Sequence, residues 1–185
     1  MTDNKKQLAQ YFMSDAKDFI LRYKTLKESS TSFGLKTKLI VDLMFALECA
    51  LKSLYIIETD LSEKNAYKNI REFSHNISKI IENLKPESKT VFLKIVPVDY
   101  QFYKVYQRYI FESEMAFREE LGNMGLIYYE RINNPNWRQS FRDQIVSFIE
   151  FVESKIPIEF KTISFAEIDI HEEINKFKKL KEILE

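Results

Sequence analysis

The chain has 185 residues with 28 basic and 28 acidic side chains, so its formal net charge is zero; 45% of its residues are apolar and 14% aromatic. That length and apolar content suit one domain with a real core and exclude a disordered chain, and the charge balance gives no basic stripe for duplex nucleic acid. Three glycines and four prolines are too few turn residues for a sheet-rich fold, and a lone cysteine, Cys49, excludes an intramolecular disulfide and fits a reducing compartment.

The first residues, "MTDNKKQLAQ", are polar and lack the apolar core of a secretory signal. Leu8, Tyr11, Phe12, Asp15, Phe19, Tyr23 and Leu26 recur at steps of three or four, which predicts an amphipathic helix from Asp3 to Glu28. "SSTSFG" is a turn, and a second helix runs from Leu35 to Ile57. It contains the longest apolar stretch, residues 39 to 57, but Asp42, Glu48 and Lys52 interrupt it. Each would cost about 2.5–3.5 kcal/mol near a bilayer centre, so no membrane span and a cytoplasmic location are expected.

A third pattern opens near Asp60 or Ser62 and carries Ala66, Ile70, Phe73, Ile77, Ile80, Ile81 and Leu84 in one narrow stripe. The stripe passes Ser74 in phase, which favours one continuous helix, with Ser74 the alternative start of a new one. Lys85-Pro86 ends it, and "ESKTVFLKIVP" predicts a short helix. Asp99 caps a long aromatic helix ending near Gly122, in which Tyr103, Tyr106, Ile110 and Phe117 face the core. "NMGLIYYERINN" fits a short helix or an extended segment. Asn134-Pro135 opens another helix with Phe141, Ile145, Phe148, Ile149 and Val152 inward, and Pro157 stops it. Residues 158 to 168 partly alternate and predict a short extended segment; a final helix follows with Ile170, Ile174, Phe177, Leu180 and Leu184. The expectation is an all-α bundle of five to seven helices in a single domain, residues 1 to 185.

No glycine-rich phosphate loop, zinc-ligand cluster or calcium loop occurs, so neither a metal nor a cofactor is expected. The second helix has an unusual surface. Leu39, Leu43, Ala46, Ala50 and Leu54 form one stripe, yet Val41, Met44, Phe45, Tyr55 and Ile56 surround Glu48 and Lys52 on the far side. A helix apolar all round is central in a bundle or buried in an oligomer interface. Glu48 and Lys52, four apart, are placed to pair.

"ECALKSL" resembles the Glu-x-x-Leu-Lys signature on the second helix of HEPN domains. "SHNISKI" is similar to that family's Thr/Ser-His-Asp-Leu segment, and "YYERINNPNW" to its Tyr-x-x-Arg-Tyr-Pro stretch, with Asn133 and Asn134 inserted before Pro135. The order agrees over about residues 35 to 155; residues 156 to 185 are unmatched. The resemblance implies a HEPN-like bundle, a nucleotide- or RNA-associated role in a prokaryotic stress, toxin-antitoxin or anti-phage system, and metal-independent ribonuclease chemistry. It implies a homodimer, or a complex with a partner such as a nucleotidyltransferase.

On that resemblance Arg71 and His75 are the catalytic candidates, and Glu48, Lys52 and Arg131 support the pocket. Three residues separate Arg71 from His75, where the family's signature has four to six. In a continuous helix these two share the face of Lys68, Lys79 and Glu82, which is also what a solvated face looks like. A non-catalytic helical module for protein–protein contact is the competing expectation.

Overall fold

The computed structural model describes residues 2–29, 31–96, 130–156 and 170–184. The expected aromatic helix over 99–122, most of "NMGLIYYERINN" and the expected extended segment over 158–168 lie outside the described residues. Within them the chain is an all-α bundle of seven helices with no strand: α1 (Asp3–Lys27), α2 (Phe33–Glu58), α3 (Glu63–Phe73), α4 (Ile77–Glu82), α5 (Pro86–Ile95), α6 (Pro135–Lys155) and α7 (Ile170–Leu184). Residues 130–133 are also helical.

The helices begin where polar side chains replace missing backbone partners. Thr2 accepts from the Lys5 amide at 3.3 Å, and Ser32 from that of Leu35 at 3.2 Å. Asn134 accepts from the amides of Asn136 and Trp137, with Pro135 at the first helical position as its fixed φ favours.

α1 and α2 form an antiparallel hairpin with its register pinned at three heights. Lys5 Nζ donates to the Thr59 carbonyl at 2.6 Å, Ser53 Oγ to that of Ala9 at 2.9 Å, and Arg22 Nε to Asp42 Oδ2 at 3.0 Å. α6 runs antiparallel to α1, tied by Lys17–Glu153 at 2.5 Å and Lys27–Gln139 at 2.8 Å. Its inward row Phe141, Ile145, Phe148, Ile149 and Val152 is buried, as its spacing predicts. α5 docks on α6 through an edge-to-face contact of Phe92 with Phe148 at 5.2 Å. Glu58 holds the start of α5 by accepting from the Lys85 amide and the Ser88 hydroxyl.

α2 is the central helix. Its main stripe, Leu39 to Leu54, is buried, and so are Val41, Met44, Tyr55 and Ile56 on the other side. Of the two explanations for its all-round apolarity, a central place in its own chain's bundle is the one observed. Among the described residues no helix is long and apolar enough to cross a membrane.

Candidate functional site

The continuous third helix predicted from the apolar stripe is broken. α3 ends at Ser74, whose φ of 51° and ψ of −124° fall in a region that favours glycine. Asn76 then caps α4, accepting from the Lys79 amide at 3.0 Å. The break is invisible in the stripe because it preserves the stripe's purpose: Ile70 and Phe73 before it, and Ile77 and Ile80 after it, are all buried. It takes His75 out of the helical row it would have shared with Arg71 and brings it to α2.

There His75 Nδ1 lies 3.0 Å from Glu48 Oε2 and 3.2 Å from Oε1. Lys52 Nζ donates to Oε1 at 2.6 Å. The Glu48 and Lys52 side chains are 7% and 12% exposed, that of His75 53%. One buried carboxylate therefore joins a largely covered ammonium to a half-exposed imidazole. An ionised carboxylate only accepts, so Nδ1 carries the proton donated to Glu48. The neutral ring then keeps its free lone pair on Nε2, the atom left to exchange protons with anything bound outside.

Aromatic rings from two helices frame this trio. Phe45 meets the His75 ring edge-on at 5.7 Å and stacks on Phe19 at 5.1 Å; Lys52 Nζ stands 5.9 Å from the centre of the Phe12 ring. Burial, then Glu48 and Asp15, pushes the neighbouring Cys49 thiol up to about 12. Burial thus favours the neutral thiol of Cys49 over the thiolate that a nucleophile requires. The Asp15 carboxyl is itself raised, by burial first and by Asp18 second.

Arg71 stays on the other side of the Ser74 turn, where it lines a cleft of about 710 Å³ between α1, α3 and α7. Phe12 and Asp15 line that cleft too, so it adjoins the trio through one turn of α1. Arg131 is placed elsewhere. It belongs to the helical residues 130–133, whose Asn133 accepts from Lys36 at 3.0 Å. Lys36 precedes Glu48 by twelve residues, about 18 Å along a helix.

Of the five candidate residues, the structure thus gathers Glu48, Lys52 and His75, sets Arg71 in the adjoining cleft, and holds Arg131 towards the start of α2. Sequence had placed Phe45 around Glu48 and Lys52 but gave Asp15 and the cleft no part in a site. Asp15 was legible only as the one polar member of an otherwise apolar stripe on the first helix. Among the described residues no three His, Cys, Asp or Glu side chains gather as a metal site would require. No protein-family model, curated protein or solved structure matches this chain.

Proposed function

We propose that the Ser74 end of the bundle acts on a phosphodiester, making the chain a HEPN-like RNA- or nucleotide-associated protein of a prokaryotic stress or defence system, with metal-independent RNA cleavage as its chemistry. One observation carries this: a half-exposed His75 whose Nδ1 is held by the buried Glu48 carboxylate, leaving Nε2 for proton transfer. A histidine oriented in this way is suited to act as general base. Nε2 takes the proton of a ribose 2′-hydroxyl; the 2′-oxygen attacks phosphorus, and the 5′-oxygen leaves with a proton from water or from the imidazolium. The product is a 2′,3′-cyclic phosphate. Arg71, a permanent cation in the adjoining cleft, offsets the charge that develops on the phosphoryl oxygens.

The test is single-stranded RNA incubated with the pure protein in excess chelator. Cleavage is expected from the wild type and none from His75→Ala, with unchanged helical circular dichroism. Glu48→Gln, which keeps the shape and loses the charge, is expected to fall between them. Equal cleavage by wild type and His75→Ala removes the assignment.

A second reading, a non-catalytic module for protein contact, is favoured by a different observation: Glu48 and Lys52 already satisfy each other inside the core, as structural ion pairs do. A wild type that neither cleaves nor binds RNA or nucleotides leaves that reading in place.

A further inference from the structure

The cleft between α1, α3 and α7 has features the phosphodiester chemistry does not use. Its volume of about 710 Å³ is in the range of small-molecule sites. Leu8 and Phe12 of α1 and Leu180 and Leu184 of α7 supply aliphatic and ring surface. Tyr11 and Phe177 meet edge to face at 6.3 Å across it, and both rings stay substantially exposed, at 41% and 55%. Exposed apolar surface on residues that line a cleft gains by being covered. With α7 as its third wall, the cleft is a space for a compact body.

The polar residues define that body's chemistry. Arg71 and Asp15 both line the cleft, and both side chains are exposed. Lys181 adds a second positive charge to the lining. A planar guanidinium at the edge of an aromatic cleft matches a carboxylate bidentately, which a point-charge ammonium does not. Asp15, one turn beyond Tyr11 on α1, is the negative charge such a ligand has to tolerate.

We propose that this cleft is a binding site for a small aromatic carboxylate, its ring system lying among Tyr11, Tyr67 and Phe177 and its carboxylate held by Arg71. The site shares Arg71 with the phosphodiester reading but needs neither RNA nor His75, so either can fail without the other.

The experiment titrates the full-length protein with naphthalene-2-carboxylate by isothermal calorimetry, alongside its neutral counterpart naphthalene-2-methanol. One saturable site is expected, with the carboxylate bound at least tenfold more tightly, as a charge-assisted pair implies. Arg71→Gln, an exposed substitution, should erase that preference while leaving the alcohol's affinity unchanged. Asp15→Asn should tighten the carboxylate several-fold, and Phe177→Ala should weaken both ligands. His75→Ala should leave both unchanged, so an RNA assay that fails has no bearing on this outcome. Absence of saturable binding at millimolar ligand, equal affinity for acid and alcohol, or indifference to Arg71→Gln overturns the proposal.

Discussion

Glu48 shares one buried carboxylate between two partners, so its replacement has two separable effects. Glu48→Ala leaves the Lys52 ammonium, 12% exposed, without its counter-charge. Removing one partner of a buried pair costs about 3–5 kcal/mol, and urea denaturation should show a loss of that size. The double variant Glu48→Leu with Lys52→Met removes both charges together and should recover most of it, yet it still frees the His75 ring. A fully recovered double variant without RNA activity would separate the carboxylate's structural part from its part in the chemistry. One of this trio's two contacts was legible in the sequence. Glu48 and Lys52 stand four apart on one helix, the spacing at which side chains meet. His75 is 27 residues from Glu48, and the contact depends on a turn that the residue types alone do not announce.

The turn at Ser74 governs how α3 hands over to α4. A non-glycine residue at φ 51°, ψ −124° holds strain of about 1–3 kcal/mol. Ser74→Gly relieves it at an unfolded-state entropy cost of about 0.4–1 kcal/mol, so a net gain near 1 kcal/mol is expected in chemical denaturation. Ser74→Val, whose branched side chain resists positive φ, should destabilise. A loss of stability in Ser74→Gly would show that the serine side chain, not the backbone, matters there. Elements with strong local chemistry were legible at this scale: Asn134-Pro135 starts α6 as its cap predicts, and α2's apolarity on every side left a central place or an oligomer interface, of which the bundle shows the first. The break between α3 and α4 was not, because Ile70, Phe73, Ile77 and Ile80 keep one phase across it and periodicity reports only the phase. The cleft was not legible either, since α1, α3 and α7 come together only through long-range packing.

At the scale of the whole molecule, the α1–α2 hairpin packs against α3, α4 and α6, and its three cross-links join residues brought together by the short connection between Lys27 and Phe33. α6, which covers another side of both helices, does not begin until Pro135. Contacts close in sequence need little loop closure and form early. Pulse-labelled hydrogen exchange during refolding should therefore protect the amides of α1 and α2 before those of α6; protection of α6 first would contradict this order. Synthesis runs from α1 toward α7. The hairpin is complete while α6 is still unmade, and Leu47, Leu51 and Ile56, fully covered in the finished protein, have yet to gain all the neighbours that enclose them. Aggregation competes best in that interval, so yield at elevated temperature should depend more on how quickly the later helices arrive, or on a chaperone that shields the waiting hairpin, than on the stability of the completed bundle.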